Sequence, residues 1–329
     1  MVQRVQDFEE FSDDLKGGVV AIGNFDGVHR GHQAVLARAT EAAKSAGVSA
    51  VALTFEPHPR TVFRPDQPVF RLTPAPMKAA ILGRLGFDAV VEQCFDKAFS
   101  ARSAEDFVTG ILRGQLGVRH VVTGYDFHFG KGREGNPAFL MEAGERHGFD
   151  VTLVEEFQDE NAEVVSSSRI REALEHGDVG EAAGLLGYRY AVSGDVLHGK
   201  KLGRGLGYPT ANMALPPETA LMPGIYAVRF RRQDGTIHDG VASFGRRPTV
   251  DEDGAALLLE TFLFDFSADL YGESCTVSFV SRLRGEEKFH GLDELVAQMK
   301  IDEAEARAVL GHISPLSSLD AAMTFGTVE

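Results

Sequence analysis

The pattern of apolar and polar positions divides the chain into two halves. In the first, apolar runs of strand length alternate with amphipathic stretches of helical period. Residues 18–23 form a run suited to a buried parallel strand. A glycine-containing turn follows; residues 33–46 then put Leu, Val and Ala on one side of a helix, with Gly47 as the stop signal. Further strands are predicted at 48–55, 89–93, 118–124 and 150–154, and helices at 76–85, 103–112 and 137–147. Two short helices, 168–176 and 178–186, end this half. Such β-α repetition predicts a parallel sheet covered by helices.

From Tyr188 the pattern becomes strand after strand, at 190–197, 224–230, 238–244, 257–264 and 274–280, separated by Gly, Pro and Asp turns. Only 292–310 reads as a helix. Strands without intervening helices predict an antiparallel barrel. The expected domains are 1–187 and 188–329, and the last ten or so residues read as a loosely attached tail.

Composition narrows the function. The 329 residues are 43% apolar and 25% charged, a globular profile, with length for two domains. The net charge of −15 disfavours a general nucleic-acid binder, which must neutralise phosphates. It leaves room for small nucleotides held by local basic clusters. The N-terminus has no apolar core of a signal peptide, and no run nears the roughly 18 apolar residues of a membrane span. Cys94 and Cys275 are far apart, which argues against a disulfide or metal framework. The chain reads as cytoplasmic, with no nucleic-acid or membrane partner; monomer and weak homo-oligomer both stay open.

Three clusters in the first half carry chemistry. His29-Arg30-Gly31-His32 lies after a strand and at a helix start, where free N–H groups and the helix dipole suit an anion. His29 and His32, three apart, can face one ligand; a metal pair and ordinary surface histidines are the other readings. A glycine loop at 124–136 joins aromatic and basic residues at a strand's carboxyl end. Ser166 to Arg171 combines serines able to cap a helix with Arg169 and Arg171.

In the second half, residues 199–212 carry four glycines, three basic residues and then Pro209, Thr210 and Asn212. Their spacing is not that of a Walker A loop. The oxygens of Thr210 and Asn212 suit Mg²⁺ shared with ATP phosphates. Glu260 interrupts an apolar strand, so it must face solvent, pair, or serve chemistry.

These motifs are similar to those of two families. The stretches G-x-F-D-G-V-H-x-G-H, F-x-P-H-P, G-x-D-F-x-F-G and S-S-x-x-I-R, in order over about 15–186, resemble the FMN adenylyltransferase module of bacterial FAD synthetases. The resemblance implies a doubly wound α/β nucleotidylyltransferase fold. It assigns Gly23, Asn24, Phe25, Asp26, His29, His32, Ser166, Arg169 and Arg171 to ATP. It assigns Phe55, Pro57, His58, Asp126, Phe127 and Phe129 to the flavin. Residues 188–312 resemble riboflavin kinase, a six-stranded Greek-key barrel with a C-terminal helix. That likeness assigns Gly199, Lys200, Leu202, Gly203, Arg204, Gly207, Pro209, Thr210 and Asn212 to ATP, the last two also to Mg²⁺. It makes Glu260 the general base and gives Arg284, Glu287 and Phe289 to the flavin. Departures are His128 and Ser168, where Arg and Thr are frequent, Phe262, where His is frequent, and Ala242-Ser243-Phe244, where Asn-Ile-Gly is usual.

The expected activity is riboflavin to FMN to FAD, with ATP and Mg²⁺. Its chemistry suits the two residue sets. An alcohol nucleophile benefits from a carboxylate base. A phosphate nucleophile is already anionic and needs cations and N–H donors instead. A transferase for another phosphorylated substrate and a flavin- or nucleotide-binding regulator are the competing readings.

Overall fold

The computed structural model describes residues 2–198, 208–247 and 256–326. The chain forms two compact units, Met1–Ser166 and Ser167–Glu329.

The first unit is a six-stranded, all-parallel sheet in the order β1-β4-β3-β2-β5-β6. The strands are β1 (Gln3–Val5), β2 (Val19–Ile22), β3 (Ala50–Glu56), β4 (Ala89–Cys94), β5 (His120–Gly124) and β6 (Asp150–Val154). The helices are α1 (Arg30–Ala46), α2 (Pro59–Phe63), α3 (Ala75–Arg84), α4 (Lys97–Ser100), α5 (Ala104–Asp106) and α6 (Pro137–His147). After α5 the chain continues as a wider π-type coil, Phe107–Gln115. Val19 to Ile22 are all buried, as a central parallel strand requires. From β2 the chain builds outward through β3 and β4, then returns to add β5 and β6 on β2's other side. This reversal sets the topological switch between β2 and β5, where open α/β sheets bind ligands at the strands' carboxyl ends.

The second unit opens with α7 (Ser167–Glu175) and α8 (Val179–Leu186). These helices group with the barrel, whereas the pattern of the chain placed the boundary after them. The barrel strands are β7 (Ala191–Asp195), β8 (Thr210–Leu215), β9 (Gly224–Arg231), β10 (Ile237–Arg247), β11 (Ala256–Leu263) and β12 (Ser274–Arg284). They pair antiparallel in the order β7-β12-β9-β10-β11-β8. A bridge between Leu197 and Asn212 brings β8 back toward the end of β7. Leu257, Leu259 and Leu263 turn inward, while Leu258, Glu260 and Phe262 lie on the outer face. Helix α9 (Leu292–Leu310) packs Ala306 and Leu310 on that outer face, against Ala227, Val241, Phe262 and Phe264.

The C-terminal segment is not the loose tail expected from its composition. It forms α10 (Ser318–Asp320) and a π-type turn, Ala321–Phe325. Asp320, fully buried, accepts from the Arg189 backbone N–H at 3.0 Å and pairs with the Arg189 guanidinium. Arg231 donates to the carbonyls of Ala322 and Met323, and the Arg229 guanidinium lies 4.1 Å from the Phe325 ring centre.

Candidate active sites

The first candidate site is the turn between β2 and α1. His29 caps the 17-residue helix α1: its Nδ1 accepts the His32 backbone N–H at 3.3 Å. In a neutral ring the proton then sits on Nε2, leaving that nitrogen as a donor. The His32 ring stacks on the His29 ring, with centroids 3.6 Å apart and planes 19° apart. Gly31 makes this possible, because a Cβ there would lie 3.2 Å from the His29 ring. Burial pushes the His32 pKa well below its ordinary 6.5, and His29 and Lys78 lower it further. The shift keeps the His32 ring neutral beside His29 at a helix N-terminus, a place that favours anions. His32 Nδ1 and Asn24 Oδ1 are buried without a hydrogen-bond partner.

The turn is strained and strongly held. Phe25 (φ 48°) and Val28 (φ 39°) occupy the left-handed region, which a β-branched side chain rarely tolerates. Such geometry persists only where the surroundings enforce it. Asp26 supplies part of that force: its carboxylate accepts from the Leu72 and Thr73 backbone N–H groups at 3.3 and 3.1 Å. The Thr73 hydroxyl accepts from the Gly27 N–H at 2.8 Å. Phe25 and Asp26 are among the residues the resemblance gives to ATP. They lie buried within the turn and hold its shape.

Below the turn sits Lys78, on α3, which sequence reasoning missed. Its fully buried ammonium donates to the Asn24 carbonyl (3.0 Å), the Thr54 hydroxyl (2.8 Å) and Glu56 Oε1 (2.8 Å). Glu56 also receives both ends of Arg71, at 2.6 and 2.7 Å. Burial raises the Glu56 pKa, but Arg71 and Lys78 outweigh it and leave the carboxyl below its ordinary 4.5.

A connected series of phenylalanines runs from the ends of β3 and β4 to the loop after β5. Phe63 touches Phe95 (centroids 5.8 Å apart), Phe95 touches Phe55 (5.9 Å) and Phe99 (5.6 Å), and Phe99 touches Phe107 (6.3 Å). Phe107 meets Phe129 (5.2 Å), which stacks on Phe127 (5.4 Å, 16°). Phe55 and Phe129 are buried, Phe127 is half-buried, and Phe63 is 65% exposed. Pro57 and Asp126 are exposed. His58 is half-buried and caps α2, accepting from the Arg60 N–H at 3.2 Å.

Ser166 closes the first unit; Arg169 and Arg171 open the second. Arg169 pairs with Glu181 on α8 at 3.2 Å, and Arg171 donates to the Ser167 carbonyl at 3.1 Å.

The second candidate site lies on the barrel's outer face. Thr210 and Asn212 project from β8 to the same side, and in the ladder Asn212 is opposite Glu260 and Thr210 opposite Phe262. Directly opposed residues hold their Cβ atoms about 5 Å apart. Glu260 in turn faces Ser243, Ser243 faces Ile225, and Ile225 faces Arg284. Three strand spacings, about 14 Å along the sheet, thus separate Glu260 from Arg284. Asn212 Oδ1 is buried without a hydrogen-bond partner. An oxygen held that way beside a hydroxyl and a carboxylate fits a hard cation such as Mg²⁺. Arg284 is fixed by both oxygens of Asp302, at 2.8 and 2.7 Å, and lies 5.8 Å from the Phe289 ring centre. Glu287 and Pro209 are exposed. Phe262 packs on Tyr208, centroids 4.7 Å apart. Gly199, Lys200, Leu202, Gly203, Arg204 and Gly207 lie outside the described residues.

Comparison with known proteins agrees with this division. The family model for FAD synthetase matches residues 11–169, and that for riboflavin kinase matches residues 186–310. The bifunctional riboflavin kinase/FMN adenylyltransferase of Escherichia coli (strain K12) is 39% identical over 300 residues, 91% of this chain and 95% of that protein. The protein of the same name from Pseudomonas fluorescens is 42% identical over 308 residues, 94% and 98% of the two chains. A crystal structure described as a macrolide-efflux protein from Streptococcus pneumoniae superposes with a TM-score of 0.82 at 30% identity, covering 93% of this chain and 98% of that one. Among the described residues here, no helix is long and apolar enough to cross a membrane. Both modules, matched in order along nearly the whole length of such relatives, place the chain in the family of bifunctional riboflavin kinase/FMN adenylyltransferases.

Proposed function

We propose that the second unit phosphorylates riboflavin with ATP, giving FMN and ADP, and that the first unit joins FMN to the adenylyl group of a second ATP, giving FAD and pyrophosphate. The ladder position of Glu260, opposite Asn212 and two residues from Phe262, carries this reading: a carboxylate stands beside the oxygens that suit Mg²⁺–ATP.

In the kinase step Glu260 accepts the proton of the riboflavin hydroxyl as that oxygen bonds to the terminal phosphorus of ATP and the bond to ADP breaks. Thr210 and Asn212 would hold Mg²⁺, which neutralises phosphate charge when bound. Arg284, braced by Asp302, and Phe289 orient the flavin. In the adenylyl step an FMN phosphate oxygen bonds to the α-phosphorus of ATP and pyrophosphate leaves. No base is needed. His29, His32 and the first N–H groups of α1 donate to the phosphates, joined by Ser166. Phe63 and Phe127, the accessible ends of the phenylalanine series, offer faces to the flavin ring. Both steps consume ATP, which suits a cytoplasmic enzyme.

The direct test is a time course with riboflavin, ATP and Mg²⁺, flavins resolved by chromatography. FMN should appear first and FAD later. Conversion of neither riboflavin nor FMN would refute the proposal.

A further inference from the structure

The turn that presents His29 and His32 is strained at Phe25 and Val28. Asp26 and Thr73 hold its far side to the 72–73 segment. Its near side, at the Asn24 carbonyl, is held by Lys78 at 3.0 Å and by the Thr54 hydroxyl, itself bonded to Lys78, at 3.1 Å. Lys78 has no exposed surface, so it cannot touch a substrate. A buried ammonium is costly unless its donors are satisfied, and here three acceptors meet it, one on the turn and two on β3. One acceptor is the carbonyl that leads into the strained turn. Another is the carboxylate at the end of β3, which is also clamped to Arg71.

We propose that Lys78 is a positioning residue for adenylyl transfer: by tying α3 and the end of β3 to the Asn24 carbonyl, it fixes the turn and the His29–His32 pair in register with the phosphates. The inference rests on the adenylyl-transfer reading of this site. The charged groups facing Lys78 are Glu56 from β3, Arg71 from the segment before α3 and Asp26 from the turn. His29 and Lys78 are the charges that act on His32. Burial is the main cause that lowers the His32 pKa, and Lys78 adds to it in the same direction. Loss of the ammonium should change both the geometry and this proton balance.

The experiment uses the full chain with Lys78→Met. FAD formation from supplied FMN should fall in kcat by about a hundredfold, the scale of a misplaced catalytic group. Riboflavin phosphorylation by the same polypeptide should be unchanged, which reports that the second unit is folded, and thermal unfolding reports on the first. Histidine-labelled protein followed by NMR should show the His32 titration midpoint moving up from its position in the wild type. A Lys78→Met, Glu56→Gln double variant removes both charges together, with Asp26 and the Gln amide oxygen left as partners for Arg71. Any stability it regains over the single variant should leave FAD formation slow, because the ammonium's tie to Asn24 stays absent and the Thr54 hydroxyl alone holds that carbonyl. Recovery of FAD formation along with stability would show a merely structural role and overturn the proposal. So would a single variant with wild-type FAD formation and an unmoved His32 midpoint. If the wild type itself makes no FAD, the adenylyl reading fails separately, and the His32 titration alone decides whether Lys78 controls that ring.

Discussion

Asn212 and Glu260 are directly opposed in the ladder joining β8 to β11, and Ser243 stands opposite Glu260 on its other side. Three adjacent strands thus carry an amide, a carboxylate and a hydroxyl at one level of the barrel's outer face. The amide oxygen of Asn212 is buried and has no hydrogen-bond partner. A buried acceptor left unpaired lowers stability by about 1–3 kcal/mol, so its retention calls for a ligand.

Asn212→Val should therefore leave the protein as stable as the wild type, or more so, while abolishing Mg²⁺-dependent riboflavin phosphorylation. Thermal unfolding without nucleotide, set beside a kinase assay over a Mg²⁺ series, checks both halves. A large loss of stability would mean that the side chain serves the fold.

The pH dependence of stability should carry the mark of His32. Its folded pKa is depressed, mainly by burial, below the 6.5 of an unfolded histidine. The unfolded chain thus takes up a proton that the folded one refuses. The contribution to stability is complete above 6.5 and is lost as pH falls below it. His32→Gln should lose less stability than wild type between about pH 7.5 and about pH 5.5 in thermal unfolding. Parallel curves would contradict the shift.

Phe63 is 65% exposed yet touches Phe95, the outer member of a series that runs inward to Phe129. An aromatic face of this kind is worth about 1 kcal/mol in stacking. Phe63→Ala should raise KM for FMN roughly fivefold to tenfold, with no change in unfolding temperature and none in riboflavin phosphorylation. An unchanged KM would remove Phe63 from the flavin surface.

Asp320 and Arg189 join the C-terminal segment to the start of the barrel, 131 positions apart in sequence. Asp320→Ala leaves Arg189, which is 7% exposed, without its carboxylate and should cost about 3–5 kcal/mol. Denaturant unfolding followed through riboflavin phosphorylation should show the loss. A small effect would return the segment to the status of a loose tail.

Much of this architecture is legible in the chain because buried parallel strands are continuous apolar runs and barrel strands alternate. Val19–Ile22 shows the first pattern plainly; Leu257–Leu263 alternates in burial but carries Leu258 and Phe262 on its outer face, where α9 covers Phe262. Other elements lack a local signal. Strand β1 has three residues, and its pairing with β4 is a long-range event. Strand β8 follows a glycine-rich stretch, so its alternation, Thr210 and Asn212 outward, Ala211 and Met213 inward, reads first as part of a phosphate loop. The tail is held by residues far back in the chain, and nothing near Asp320 announces Arg189. The histidine pair is marked by its place after a strand, but Lys78 sits on an ordinary helix and acquires its importance only in three dimensions. The partners of Asp26, the Leu72 and Thr73 backbone N–H groups and Arg71, likewise come from a distant segment.

The central claim is that one chain carries two separate sites with different chemistry. The most direct measurement compares His32→Ala and Glu260→Ala, each given riboflavin or FMN with ATP and Mg²⁺, with flavins resolved by chromatography. The account predicts that His32→Ala converts riboflavin to FMN and stops there. Glu260→Ala should convert supplied FMN to FAD but slow riboflavin phosphorylation by about 10²–10⁴-fold, the usual worth of a general base. Loss of both activities in either folded variant, or of neither, would contradict the account.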